Sequence, residues 1–284
     1  MTIEELVNQQ PFKGKFAVIT GGSKGIGKAT AKLFIKLGGN VCLIARGLDI
    51  LEETQDECDK LKSDDSQFIE IVSCDTTEID KLKPLITELI DKLRVPDYLF
   101  NFVGFAHLDY LENLTLEDFK RNMDVNYYGQ LVPTLILLPY FMQSKNGHIT
   151  FTSSTLGFYG FMGYATYAPS KYALFGLAEV LRHETKPYNI KVSILFPADT
   201  NTPGYREESK LKPPECAIIS QVGKLMKAEE VAEVFIKSIL EERFEILPGE
   251  SAIQLKTMRD NPDDVRGILD SLYKRARRKT GRKI

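Results

Sequence analysis

FAVITGGSKGIGKATAKLFIKLGG, residues 16–39, begins with a short apolar run, turns on glycines and continues in a helical period. Phe16–Thr20 stops at Gly21-Gly22 and reads as a buried strand. Ile26, Ala29, Ala31, Leu33, Phe34 and Leu37 then recur at helix spacing until Gly38-Gly39 closes the segment. Strand, glycine turn and helix make the first half of a βαβ unit. The glycines let the backbone turn tightly against a ligand, and the free N–H groups at the helix start favour an anion such as a pyrophosphate. Many such turns use glycine only to bend, and the position at the head of a βαβ unit is what points to a nucleotide.

The same alternation repeats outward from this stretch. Strands are predicted at 41–45, 68–73 and 98–103, with helices at 48–61 and 79–93 between them. Helical periods return at 116–127 and 130–142, a strand at 148–152, a helix from Tyr167 to about Lys186, and a strand at 190–196. A helix at 228–240 and a short strand at 243–247 follow. The fold class is α/β, a doubly wound parallel sheet in a single domain. Residues 197–225 have no clear period and hold Pro197, Pro203, Gly204, Pro213 and Pro214, which predicts a long, functional loop containing a short helix. No boundary is visible before Pro248, so the chain divides into a body of residues 1–248 and a tail of 249–284.

The chain has 284 residues, with 37 Lys and Arg against 39 Asp and Glu, and is 43% hydrophobic. It can bury a full core, and a net charge of −2 gives no general reason to expect nucleic acid as a partner. Cys42, Cys58, Cys74 and Cys216 lack metal-ligand spacing and read as buried thiols of a reducing compartment, with no metal site. MTIEELVNQQ has no secretory core. The longest apolar run, Leu131–Met142, is interrupted by Pro133 and Pro139 and falls short of the ~20 residues of a membrane span. The expected placement is cytoplasmic, or peripheral on a membrane surface facing the cytoplasm.

A second stretch, SSTLGFYGFMGYATYAPSK at 153–171, carries the chemistry. Tyr167 and Lys171 are four apart, which on a helix sets phenol and ammonium on one face. A phenol of pKa ~10 is a poor proton donor or acceptor at neutral pH, but a close cation favours its ionised form and lowers that value. Tyr167 is therefore a candidate general acid or base. Ser154, after the strand-like run His148–Thr152, is placed to present a second hydroxyl to the same small carbonyl or alcohol. Alone, Tyr-x-x-x-Lys is common and usually marks a solvated face.

Thr20-Gly21-Gly22-Ser23-Lys24-Gly25-Ile26-Gly27, taken with Ser154, Tyr167 and Lys171, resembles the short-chain dehydrogenase/reductase family. Asn101-Phe102-Val103-Gly104 falls where that family has Asn-Asn-Ala-Gly, Asn126 at its helical Asn, and Pro197–Thr202 at its Pro-Gly-x-x-x-Thr segment. Phe102, Val103 and Ala198 are departures. The resemblance covers residues 12–247 and implies a Rossmann-like fold. Hydride would pass between C4 of a nicotinamide and a carbonyl carbon while Tyr167 delivers or removes the proton. By the same resemblance Ser154 hydrogen-bonds the substrate oxygen, and Lys171 binds the ribose and lowers the Tyr167 pKa. Asn126 holds a water that links Lys171 to solvent. The cofactor contacts it implies are Thr20, Gly21, Ser23, Lys24, Gly25, Ile26, Gly27, Asn101, Gly104, Pro197, Thr200 and Thr202, with Tyr167 and Lys171 themselves.

Cofactor choice is read at the end of the second strand, where a carboxylate takes the ribose 2′-OH of NAD and an arginine a 2′-phosphate. The strand ends Ile44-Ala45-Arg46, so Arg46, with Lys24, predicts NADPH/NADP. Asp49 is the alternative NAD carboxylate but suits the start of the next helix. Asp75 matches the family position at the adenine amino group.

Lys186–Asn189, and Pro197–Tyr205 followed by Glu207-Glu208 and Lys212-Pro213, look like family members that act on long-chain sphingoid ketones and not like the acyl-carrier-protein reductases. The expected substrate is therefore a hydrophobic ketone of the sphingoid class. Other 3-ketoacyl or steroid ketones are the alternative; a non-catalytic NADP-binding regulator has no need of Ser154, Tyr167, Lys171 and Asn126 together. The segment 203–225 is placed as a lid, with Leu211, Ile219, Val222 and Leu225 facing a wall of Leu156, Phe158, Tyr159, Phe161 and Met162. In the tail, Val265, Ile268, Leu269, Leu272 and Tyr273 at helical spacing precede Lys274, Arg275, Arg277, Arg278, Lys279, Arg282 and Lys283. An amphipathic helix docked on its own domain or a sister subunit is expected. Contact with an anionic membrane, at about 1 kcal/mol per basic residue, is the second reading. A homo-oligomer is implied by the resemblance.

Overall fold

The computed structural model describes residues 1–220 and 225–281. Val222, Arg282 and Lys283, assigned above to the lid and the tail, lie outside them. The chain starts with α1 (Ile3–Gln9), a helix not anticipated from the sequence. Its signal is Thr2-x-x-Glu5: the Glu5 N–H donates to Thr2 Oγ1 (3.2 Å) and the Thr2 N–H to Glu5 Oε2 (2.8 Å), a reciprocal capping box.

Then come β1 (Phe16–Thr20), α2 (Gly25–Lys36), β2 (Asn40–Ala45), α3 (Leu48–Asp59), β3 (Ile69–Ser73), α4 (Ile79–Lys92) and β4 (Tyr98–Asn101), in the expected order. The second half holds α5 (Leu116–Met123), a π-helical turn at Asp124–Tyr128, α6 (Gly129–Ser144), β5 (Gly147–Thr152), α7 (Tyr167–Glu184) and β6 (Ile190–Leu195). After them come β7 (Thr200–Asn201), α8 (Pro203–Leu211), α9 (Pro214–Ile219), β8 (Met226–Lys227), α10 (Ala228–Leu240), β9 (Glu245–Ile246), α11 (Ser251–Asp260) and α12 (Pro262–Thr280).

Seven strands form one parallel sheet in the order β3-β2-β1-β4-β5-β6-β9. Helices cover both faces, which is why β1 reads as an unbroken apolar run, with all five residues buried. Alternate residues serve opposite cores. Phe16, Val18, Ile44, Leu99 and Ile149 pack with side chains of α4, α6 and α7, while Ala17, Ile19, Val41 and Phe100 pack with those of α2 and α10. The strand order reverses between β1 and β4, so the connections on either side leave to opposite faces and open a crevice at the carboxyl ends of those strands. All four cysteines are free and buried.

Two expectations are corrected. Residues 197–225 are not a loop with one short helix: α8 and α9 both form, separated by Lys212-Pro213. Pro203 and Pro214, read as breakers, occupy first turns, where a missing N–H costs no hydrogen bond. Thr202 Oγ1 caps α8 by accepting from the Tyr205 N–H (3.1 Å). The helix predicted over 116–127 is regular only to Met123, then widens into the π turn. The tail folds back as α11 and α12, with Leu255 and Ala276 buried and α12 packed along α9. No helix among the described residues is long and apolar enough to cross a membrane.

Candidate active site

β5 delivers Ser153 and Ser154 to the crevice, and a single 3-10 turn at Thr155–Gly157 folds the chain onto α7. Ser153 Oγ donates to the Lys171 carbonyl (2.8 Å). Gly157 passes so close that a Cβ there would lie 3.0 Å from the same carbonyl oxygen. This contact is what holds the Ser154 loop against the first turns of α7, which begins at Tyr167 and carries Lys171 one turn on.

Lys171 is buried and its Nζ donates to the Thr152 carbonyl (2.9 Å), 5.4 Å from the centroid of the Tyr167 ring. Burial holds its pKa down at about 7, against a smaller opposing pull from Glu208. Tyr167 behaves contrary to expectation. Burial pushes the phenol well above its ordinary range, the charges of Glu208 and Asp199 push it the same way, and a hydrogen bond with Ser154 works against them. Burial is the largest of these effects, and no pull from Lys171, whose Nζ stands 5.4 Å from the ring centroid, offsets it.

Asn126 lies in the π turn, a local widening often found at functional sites. Its Oδ1 accepts from the Phe105 N–H (2.7 Å), and its Nδ2 donates to the Phe105 carbonyl (2.9 Å) and to Ser170 Oγ (2.8 Å). Both amide hydrogens are thus committed to joining the loop after β4 to α7, and its side chain makes no hydrogen bond with Lys171. Gly104 lies between the two: a Cβ there would stand 3.3 Å from Lys171 Nζ and 3.7 Å from Asn126 Oδ1. Gln130, which the sequence reading passed over, pins the ends of β4 and β5. Its Nε2 donates to the Val103 (2.9 Å) and Thr152 (3.0 Å) carbonyls, and its Oε1 accepts from the Thr152 N–H (2.8 Å).

The nucleotide side is assembled from both halves of the chain. Thr20 Oγ1 donates to Asn101 Oδ1 (3.0 Å), joining β1 and β4 where the sheet order reverses. Gly21 has φ +68°, and a Cβ there would meet the Phe102 carbonyl carbon at 2.8 Å. Gly25 has φ +54°, and a Cβ there would lie 3.1 Å from Thr202 Cγ2, so the segment after β6 rests directly on the glycine turn. Pro197 accepts from the Thr155 N–H (3.4 Å), and Thr200 Oγ1 donates to the Ala198 carbonyl (2.7 Å). Ser23, Lys24, Ile26 and Gly27 complete the turn and the start of α2. Arg46 and Asp75 follow β2 and β3 side by side, 3.9 Å apart, with the arginine side chain 78% exposed. Asp75 Oδ1 is held by Thr77, and Asp49 falls in the first turn of α3.

A buried charged network beside the phenol went unrecognised in the sequence. Tyr164 donates to Glu208 Oε1 (2.8 Å), Lys212 Nζ lies 3.7 Å from Glu208, and the Tyr205 hydroxyl donates to Asp199 Oδ2 (3.1 Å). Burial raises the Glu208 pKa against the pull of Lys212, and burial with the Glu208 charge raises that of Tyr164. The Tyr164 and Tyr167 rings are 5.9 Å apart, which brings the network to the reacting group. The Glu208/Lys212 spacing was the readable signal, an i,i+4 pair.

Next to this network is a cavity of about 370 Å³. Leu156, Tyr159 and Phe161 line one side, as expected, whereas Phe158 is turned into the core against Phe196 and Met162 is not in the lining. The lid contributes Cys216, Ile219 and Ser220; Leu211 and Leu225 are exposed. The remaining wall comes from α11 and α12, including Ile253, Val265, Ile268 and Leu272.

A family profile described as short chain dehydrogenase matches residues 15–212. The chain is 35% identical to a 3-dehydrosphinganine reductase of Danio rerio over 273 residues, 95% of this chain and 82% of that one. It is 39% identical to a 3-ketodihydrosphingosine reductase of Dictyostelium discoideum over 246 residues, 80% and 72% of the two. Among solved structures, a 3-oxoacyl-[acyl-carrier protein] reductase with bound NAD from Brucella melitensis superposes with a TM-score of 0.70 at 26% identity, covering 83% of this chain and 88% of that one. Levodione reductase, at a TM-score of 0.76, 22% identity and coverages of 85% and 99%, shares the fold.

Proposed function

Because this chain belongs to the short chain dehydrogenase family, we propose that it is an NADPH-dependent oxidoreductase that reduces the keto group of 3-ketodihydrosphingosine to an alcohol, the activity its relatives' names carry. The observation behind the reading is that Thr155, next to Ser154, and Tyr164, its ring 5.9 Å from that of Tyr167, line an apolar cavity with room for an alkyl chain.

The residues fit a dinucleotide. A Cβ at Gly21 would fill the bend of the glycine turn, and α2 begins there with N–H groups suited to a pyrophosphate. Arg46 would take the 2′-phosphate and Asp75 the adenine amino group. Asn101, Gly104, Pro197, Thr200 and Thr202 would line the nicotinamide half, and Lys171 its ribose. When bound, the reduced nicotinamide supplies a hydride to the carbonyl carbon.

Ser154 donates a hydrogen bond to the substrate oxygen. Burial keeps Tyr167 protonated at neutral pH, the state needed to give its proton to that oxygen as negative charge gathers there. A charged Lys171 behind the ring stabilises the phenolate left after transfer. Asn126, clamped to Phe105 and Ser170, positions the first turn of α7. A preplaced donor such as Ser154 is worth about 3 kcal/mol in the transition state.

The same reading takes residues 1–248 as the reducing body and 249–284 as the segment that closes the lipid side. It includes a homo-oligomer, supported by the exposed Leu135, Tyr172 and Val180 on α6 and α7. It also includes a peripheral contact of the basic tail with an anionic, cytoplasm-facing membrane, supported by the exposed Ile253 and Ile268. NADPH oxidation by purified protein tests the main reading: 3-ketodihydrosphingosine below its micelle concentration should sustain turnover with NADPH in preference to NADH. Faster reduction of a short acetoacetyl thioester would replace it with a generic ketoreductase.

A further inference from the structure

The lining of the cavity carries an asymmetry of charge. Among the described residues its charged members are Asp199 and Glu250, and no Lys, Arg or His faces it. Gln254, also in the lining, has its Oε1 buried with no hydrogen-bond partner. Apart from hydroxyls and the Gln254 amide, the polar groups at this site are carboxylates, set in walls that are otherwise mainly apolar. Two lysines lie near without lining it: Lys212, its side chain 3% exposed and its Nζ 3.7 Å from Glu208, and Lys171, its Nζ donating to the Thr152 carbonyl. Lys212 is paired with Glu208, whereas Asp199 forms no ion pair among the described residues and its Oδ2 accepts only from the Tyr205 hydroxyl (3.1 Å). The Asp199 carboxylate acts on the Tyr167 phenol and lines the cavity, so it is close to where a carbonyl would be reduced.

A carboxylate beside an apolar cavity disfavours an anionic occupant, and it gains most from an occupant that brings its own positive charge. On the reading given above, the substrate is such a molecule, since its amino group sits on the carbon next to the ketone and is protonated in water near neutral pH. A carbonyl held between Ser154 and Tyr167 carries that ammonium with it, two bonds from the carbonyl carbon. We propose that Asp199 is the counter-ion of the substrate's ammonium group, and that the cavity thereby selects cationic long-chain amino ketones over neutral ketones and anionic thioesters. Gln254 Oε1 is the second acceptor at the polar head. The inference rests on the proposed function but makes a separate claim, because an enzyme that reduces the same ketone through its alkyl chain alone would not need the charge.

The test compares 3-ketodihydrosphingosine with its desamino analogue, the same chain and ketone without the nitrogen. Asp199→Asn keeps the size of the side chain and an acceptor for Tyr205 while removing the charge. The ratio of kcat/KM for the amino ketone to that for the analogue should fall by about ten- to hundredfold in the variant, the loss lying mainly in KM. An unchanged ratio overturns the proposal. A measurement on the unmodified protein stands beside it: octadecylamine should compete with the substrate at about tenfold lower concentration than octadecanol, and equal inhibition overturns the proposal again. Wild-type protein that reduces both ketones equally well would remove the ammonium site and leave the ketone reductase standing. Wild-type protein that reduces neither with NADPH would remove the function itself, and the ammonium site with it.

Discussion

Lys171 sits inside the protein with its Nζ on the Thr152 carbonyl, and the loss of water holds its pKa near 7, against 10.5 in the open. Between those values the folded chain binds fewer protons at this site than the unfolded chain, so stability rises with pH across the window and the contribution is lost as pH falls through 7. The Tm difference between wild type and Lys171→Met should therefore shift in favour of wild type from pH 7 upward, and a difference independent of pH would mean that the folded state does not bury this ammonium. Tyr167→Phe keeps the ring and removes the proton. Turnover should drop by about a hundred- to ten-thousandfold with the NADPH dissociation constant nearly unchanged; near-normal turnover would take Tyr167 out of the mechanism. Arg46 is solvent-exposed, so its charge is partly screened. Arg46→Ala should weaken NADPH by about tenfold and NADH little, and equal losses for both would make the arginine structural.

Among the elements, those that repeat a local period were legible and those defined by what they lie against were not. Tyr167 and Lys171 share a face because one helix carries both, a relation contained in four residues. The capping box of α1 was just as local and was missed only because the segment was read for targeting signals. By contrast, the Tyr164–Glu208 bond joins residues 44 apart, and it exists because α8 brings Glu208 to the segment just before α7. The apolar spacing of α12 could be seen in Val265, Ile268, Leu269 and Leu272, but nothing in that spacing says which surface it covers. The structure turns it toward the cavity. If an alkyl chain lies there, each buried methylene contributes about 0.8 kcal/mol until the space is filled. Leu272→Ser should then flatten the rise of kcat/KM with substrate chain length while leaving the shortest ketones unaffected; a parallel loss at every length would count against α12 as a wall.

At the scale of the whole molecule the sheet was the most readable part, since strands covered on both faces must be apolar throughout and Val41–Ile44 and Phe16–Ile19 satisfy this without tertiary information. The outer faces of α6 and α7 are less easily explained within one chain. Leu135, Tyr172 and Val180 are each between 42% and 55% exposed there. Light scattering should find a homo-oligomer, and Val180→Asp should shift it toward smaller species; a wild-type monomer at micromolar concentration would remove that expectation. The match to the family ends at residue 212, whereas α9, α11 and α12 all lie beyond it. Glycine turn, serine, tyrosine and lysine thus lie within the stretch that the family profile describes, and much of the cavity wall lies outside it. A substitution in that wall therefore changes which ketone fits while leaving the reducing groups in place.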